Sequence, residues 1–278
     1  MKPITIIKAN GEKVPFEIDK LKNSLKSSGA SEEITQNIAL KISKTLYEGM
    51  HTKEIYKKAF SMLRKTPSPT AAKYKLKKAI MQLGPTGFPF ERYIAEILKY
   101  EGFNVKVGQI VKGHCVQHEV DVIAEKDNQH FMIECKFHSD SSRNCNVKIP
   151  LYIQSRFLDI EKQWKKKTGH DTKFHQGWVA TNTRFTTDAI QYGTCIGLYL
   201  LGWNHPKKGS LKERIDASGL HPVTCLTTLT KREKQLLLEK MIVLCKDISK
   251  DEKILLSIGL QETRIKKVLA EAKALCEI

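Results

Sequence analysis

Apolar and polar positions alternate through "HFMIECKFH" (130–138), with Phe131, Ile133, Cys135 and Phe137 on one set and His130, Met132, Glu134, Lys136 and His138 on the other. A period of two predicts a β-strand with Phe131, Ile133, Cys135 and Phe137 on its buried face. In "HEVDVIA", Val120, Val122 and Ala124 alternate with Asp121 and Ile123, which predicts a neighbouring strand. "EKDNQ" (125–129) is the turn between them. Further strand candidates are 103–111, 177–182 and 198–203. A helix is predicted over 90–101 and a long one over about 150–167, with Ile153, Phe157, Ile160 and Trp164 as its core stripe. Gln154 and Arg156 on this helix could face the polar residues of the 130–138 strand, with Gln154 at the border of the stripe. Strands alternating with helices predict a mixed α/β sheet covered on both faces.

The pattern differs on either side of this unit. Residues 2–8 form a short strand candidate, Asn10-Gly11 is a hairpin signal, and 14–16 return. Helical stripes follow: Ile18, Leu21 and Leu25, then Ile34, Ile38, Ile42 and Leu46 behind a Ser31 cap, then Ile55, Ala59 and Leu63 behind Thr52. "TPSPT" (66–70) is a break, and 70–83 resume as a basic helix. "GPTGFP" (84–89) marks a domain boundary, and "NHPKKGS" (204–210) a second linker. Beyond it, helices are predicted over 210–218, 230–247 and about 251–276.

Composition narrows the function classes. A formal net charge of +17, spread along the whole chain, points to a polyanionic partner, with DNA foremost. No apolar run approaches the roughly 18–20 residues that span a bilayer, so no membrane partner is expected. The N-terminus turns polar within a few residues and lacks a signal-peptide pattern. Seven scattered cysteines without a C-x-x-C pair fit reduced thiols in a cytoplasmic protein.

The predicted strands carry chemistry. An antiparallel pair brings Asp121 near Glu134, and Lys136 lies on the face of Glu134 about two rises, or ~7 Å, further along. Paired carboxylates make a hard oxygen site suited to Mg²⁺ or Mn²⁺. A nearby lysine can orient or deprotonate an attacking water and stabilise negative charge at phosphorus. His114, His118 and His138 surround the motif without a regular ligand spacing, so zinc binding is not expected, and phosphate contact or packing is expected of His118 and His138.

The runs "GFPFERYIAEILKYEGFNV", "HEVDVIAEKDNQHFMIECKFH" and "GWVATNTRFTTDAIQYG" resemble the Mrr-like restriction endonucleases of the PD-(D/E)xK superfamily, over roughly residues 84–203. Val120 stands where that family usually has Pro. The resemblance implies a Mg-dependent deoxyribonuclease with Asp121, Glu134 and Lys136 as its motif. It also implies that Glu91, on the preceding helix, completes the metal site. Residues 1–83 resemble the ATP-cone, through "IIKANGEKVPFEIDKLKNSL", "HTKEIY" and "AAKYKLKKAI". That resemblance implies ATP or dATP binding without hydrolysis, and Lys8 and Lys20 are positioned to meet phosphates. Ala9 replaces the family's second basic residue, and Tyr56 a common His. "LLSIGLQETRIKKVL" (255–269) faintly resembles a helix-hairpin-helix without its Pro-Gly start, so a packing or dimer element is expected there.

The expected fold class is therefore α/β in three parts. Residues 1–83 form a mostly helical ATP-cone-like domain with a small hairpin, 84–204 a restriction-endonuclease-like mixed-sheet core, and 205–278 a helical C-terminal region. The expected function is a metal-dependent DNA endonuclease regulated by nucleotide, with a homodimer as the geometric expectation for double-strand cutting. The alternatives are a nucleic-acid-binding module without turnover and a nucleotide-responsive transcriptional regulator.

Overall fold

The structure is a computed structural model and describes residues 4–66, 69–169 and 174–277. Residues 2–3 of the first strand candidate, 67–68 of "TPSPT" and His170 lie outside them. The fold is mixed α/β. In chain order the first elements are β1 (Thr5–Ile7), β2 (Lys13–Pro15), α1 (Ile18–Lys26), α2 (Glu32–Ser43), β3 (Met50–His51), α3 (Thr52–Leu63), α4 (Thr70–Tyr74) and α5 (Leu76–Ile80). The middle of the chain forms α6 (Phe88–Tyr100), β4 (Asn104–Lys112), β5 (Gln117–Lys126), β6 (Gln129–Lys136), β7 (Asn144–Cys145), α7 (Lys148–Trp164), β8 (Phe174–Thr181), β9 (Arg184–Phe185), α8 (Thr187–Cys195) and β10 (Tyr199–Leu201). The last part is helical: α9 (Leu211–Ser218), α10 (Lys231–Glu239), α11 (Cys245–Lys250), α12 (Lys253–Leu256) and α13 (Glu262–Cys276).

The chain forms two compact units. One joins the residues up to 79 with 221–234 and 245–277; the other joins 80–220 with 235–244.

In the first unit, β1 pairs antiparallel with β2 and parallel with β3, giving the order β2-β1-β3. Ser31 caps α2 by accepting the Ile34 N–H, as its sequence predicts. Leu25, Ile42, Met50, Ala59 and Leu63 are sealed from solvent among these helices. The basic helix expected over 70–83 is two short helices, α4 and α5. Lys75 Nζ donates to the carbonyl of Thr224 at 2.7 Å, and Thr224 Oγ1 donates to the carbonyl of Ala79 at 2.8 Å. These bonds tie the start of the C-terminal segment to α5 and the residue before it. The helix expected over 230–247 is interrupted, because Met241 adopts φ +58° and turns the chain between α10 and α11. A second turn at Gly259, φ +80°, separates α12 from α13, where a glycine carries no Cβ penalty.

The second unit is a five-stranded sheet in the order β10-β8-β6-β5-β4. β6, β8 and β10 are mutually parallel, while β5 pairs antiparallel with β6 and β4 antiparallel with β5. Both faces of β6 are buried. Phe137, just beyond it, packs its ring 5.9 Å from Phe90 of α6. On the other face Met132 joins Ile153, Phe157, Ile160 and Trp164 of α7, together with Val179 and Leu200, in one cluster. Each such side chain contributes on the order of 1.5–3 kcal/mol on burial. Glu134 shares this covered face and is only 5% exposed, in keeping with a sheet covered on both faces. The cause is α7, whose apolar stripe closes over the sheet right up to the carboxylate.

Candidate active site

Asp127 and Asn128 both take positive φ, +49° and +59°, and form the two-residue turn that fixes the register of β5 against β6. In that register Val122 faces Ile133. One position further on, Asp121 is opposite Glu134, and Asp121 Oδ2 accepts the backbone N–H of Cys135 at 2.7 Å. Lys136 Nζ donates to Glu134 Oε1 at 2.9 Å. Asp121, Glu134 and Lys136 thus line one open cavity of about 360 Å³, whose other wall includes His118, Tyr152 and Arg156.

Tyr152 and Arg156 of α7 reach this site. Arg156 Nη1 donates to Glu134 Oε2 at 2.5 Å, and Nη2 donates to the carbonyl of Glu119. Glu134 is therefore spanned by two cations, one on each oxygen. Its neighbours carry the electrostatic cost. Burial, then the nearby Glu134 charge, pushes the Asp121 carboxyl up to about 6. Burial, then Asp121, Glu119 and Glu134, pushes Glu91 up to about 7. Burial works against the Lys136 ammonium, but the hydrogen bond and charge of Glu134 outweigh it and hold its pKa above the ordinary lysine value.

Glu91 sits in the first turn of α6, with Oε1 3.0 Å from where a Cβ on Gly87 would stand. It lies within the field of Asp121 and Glu134. Among the described residues no three His, Cys, Asp or Glu groups converge as a finished metal site. The donor chemistry nonetheless suits a divalent cation. Asp121, Glu134 and Glu91 are hard oxygen donors, and the pKa values of Asp121 and Glu91 are raised by burial first and by neighbouring carboxylates second, a cost that added positive charge would offset.

The histidines take separate partners. His118 Nε2 lies 2.7 Å from Asp159 Oδ2, which pairs it with α7. His138 is held through its backbone by Asn182, which accepts its N–H and donates to its carbonyl, and its ring meets Cys145 Sγ at 3.4 Å. His114 lies 3.3 Å from Lys166. Asp159 was not singled out in the sequence. It also accepts the N–H groups of Cys115 and Val116, so it pins the β4–β5 turn to α7. The His118 hydrogen bond is the main reason its carboxyl is held well below the usual range. Gly113 is the local signal for this contact, since a Cβ there would stand 2.0 Å from Asp159 Oδ2.

In the other unit Lys8 pairs with Glu12 at 3.0 Å and Lys20 with Glu17 at 2.6 Å, both on the surface. Tyr56 stacks on Phe60 and Tyr74, and burial pushes its hydroxyl pKa well above the ordinary tyrosine value.

Three families match successive parts of the chain: "ATP cone domain" over 4–79, "Archaeal holliday junction resolvase (hjc)" over 85–155 and "AF1548-like, C-terminal" over 221–276. An uncharacterized protein of Archaeoglobus fulgidus is 38% identical over 181 residues, covering 98% of that protein and 65% of this chain. The chain belongs to the AF1548-like family. The solved structure titled "Crystal Structure of Protein of Unknown Function AF1548" matches with a TM-score of 0.57 and 35% identity, over 98% of that chain and 69% of this one. This AF1548-like chain therefore carries an ATP-cone domain and, after it, a domain of the PD-(D/E)xK nuclease type. No helix among the described residues is long and apolar enough to cross a membrane.

Proposed function

We propose that this protein is a divalent-metal-dependent DNA endonuclease, regulated by ATP or dATP bound to its cone. The observation that carries the reading is the meeting of Asp121, Glu134 and Lys136 in one open cavity within a domain matched by a resolvase family. Asp121 and Glu134, with Glu91 from α6, would hold Mg²⁺ or Mn²⁺. When bound, the ion supplies positive charge to the scissile phosphate and acidity to a water. Lys136, kept charged by Glu134, stabilises the negative charge that develops on the phosphate. Lys136 is also the group placed to orient or deprotonate the attacking water.

Within the nuclease superfamily the finer reading is the Mrr-like branch, on the sequence runs quoted above. The resolvase match makes branched DNA the first substrate to try beside duplex. We assign 1–83 to the nucleotide-sensing part, with Lys8 and Lys20 as phosphate contacts, 84–204 to the nuclease and 205–278 to a helical C-terminal region. The charge of +17 fits a DNA partner, the free thiols fit a cytoplasmic setting, and one site per chain calls for a homodimer if both strands are cut. The test is incubation of the protein with supercoiled plasmid, linear duplex and a four-way junction, in Mg²⁺ and in EDTA. Cleavage in Mg²⁺ alone supports the reading; no cleavage of any of the three overturns it.

A further inference from the structure

Arg156 takes no part in the nuclease assignment above, yet it makes the shortest side-chain contact to Glu134. Its side chain is 12% exposed and Glu134's is 6%. A guanidinium this close to a buried carboxylate is a strong, directional counter-ion. It also occupies Oε2, an oxygen that an incoming cation would need. Lys136 holds the other oxygen. The carboxylate is thus neutralised from within the protein.

Where the guanidinium goes when a cation takes Glu134 is also built into α7. Tyr152 lies one helical turn before Arg156, is 58% exposed, and its ring centroid is 5.5 Å from the Arg156 guanidinium carbon. Residues four apart on a helix are surface neighbours, so Arg156 can stay against the Tyr152 face while its fork leaves Glu134. That face borders the cavity. Planar, permanently charged and weakly hydrated, a guanidinium there matches a phosphate better than an ammonium does.

We infer that Arg156 is the internal counter-ion of Glu134, displaced when a divalent cation binds, and that the released guanidinium binds a phosphate of the DNA substrate. The inference rests on the metal-site reading of Asp121 and Glu134 but not on turnover. It makes Arg156 a competitor of the metal and a helper of the DNA, two effects of opposite sign. A residue that merely braced Glu134 would behave otherwise, since removing such a support costs about 10–100-fold in metal affinity.

The experiment uses the full chain, Arg156→Gln and Arg156→Lys, each first checked for a parental thermal unfolding profile. Mn²⁺ affinity is measured by calorimetry without DNA, and affinity for a fluorescent four-way junction by anisotropy in Ca²⁺. Arg156→Gln is expected to bind Mn²⁺ severalfold more tightly than the parent and the junction about tenfold more weakly. Arg156→Lys keeps the positive charge and is expected to hold Mn²⁺ affinity near the parental value. Unchanged or weaker Mn²⁺ binding by Arg156→Gln overturns the inference, as does unchanged junction binding or a parent that binds no Mn²⁺. Because neither readout needs cleavage, a protein that shows both effects and cuts nothing would sink the endonuclease reading alone.

Discussion

The backbone N–H of Cys135 donates to Oδ2 of Asp121 across 2.7 Å. The β5–β6 ladder runs from Lys126–Gln129 to Val122–Ile133, and the carboxylate takes the donor beyond its end. Asp121 is thus structural as well as chemical, and two substitutions separate the roles. Asp121→Ala leaves the Cys135 N–H without its acceptor, at a cost of about 1–3 kcal/mol. Asp121→Asn keeps an oxygen there and should unfold in urea close to the parent. Both should lose cleavage. An Asp121→Asn variant that cut DNA at the parental rate would remove Asp121 from the proposed metal site.

Metal identity follows from the donor set. Carboxylate oxygens should accept Mg²⁺, Mn²⁺ and Ca²⁺, but Ca²⁺ is expected to support DNA binding without turnover. Cleavage should vanish in EDTA and return with excess Mg²⁺ or Mn²⁺. Full activity in EDTA would exclude this chemistry.

The strand pair, its tight turn and the Asp121, Glu134 and Lys136 face could be read locally, because a period of two places side chains without knowledge of the rest of the fold. Arg156 could be read as a helix residue able to face the site, but not as the partner of Glu134. Its contact with Glu134 spans 22 residues and depends on how α7 crosses the sheet. Asp159 escaped notice for the same reason, since its bonds to the β4–β5 turn span more than 40 residues. The union of the C-terminal segment with the first 79 residues rests on such contacts as Lys75 to Thr224, which are 149 residues apart. No periodicity encodes those. The break at Met241 was hidden because nothing in "LEKMIVL" is a glycine or proline.

Glu233, in the C-terminal segment, gives a pH-dependent contribution to stability. Glu233 accepts from Arg264 and from the N–H of Thr230, and the Arg264 hydrogen bond is the main cause of its pKa falling to about 2. A carboxylate depressed in the folded state stabilises it above the ordinary pKa of about 4.5. That contribution should be lost as pH falls from about 4.5 towards 2. Glu233→Gln should therefore flatten the acid limb of a stability-versus-pH curve over this window and lower stability at pH 7. An unchanged acid limb would show that the pair contributes nothing.

With a formal net charge of +17, DNA affinity should depend steeply on salt. A protein making roughly 6–10 phosphate contacts loses about 10³–10⁵ in affinity between 50 and 200 mM salt. Anisotropy titrations across that range measure the slope. A flat profile would point to a partner other than nucleic acid.

The last prediction concerns the cone. Lys8 and Lys20 each pair with a neighbouring carboxylate, Glu12 and Glu17, on the open surface. Exposed pairs of this kind are worth little, about 0–1 kcal/mol, so a triphosphate can displace them. ATP or dATP is therefore expected to bind in calorimetric titration and to remain intact. Lys8→Ala combined with Lys20→Ala should lose most of that affinity without unfolding the domain, because both side chains lie outside its core. If nucleotide also regulates the nuclease, it must bind one state of the protein more tightly than another. A coupling of about 1–3 kcal/mol, or roughly 5–150-fold, is the usual range. Cleavage rates with and without ATP, or a change of oligomeric state by sedimentation, would reveal it. Absence of binding at millimolar ATP would mean that Ala9 and Tyr56 mark a cone without its ligand. Binding that leaves both cleavage and assembly unchanged would keep the nucleotide site and remove the regulation.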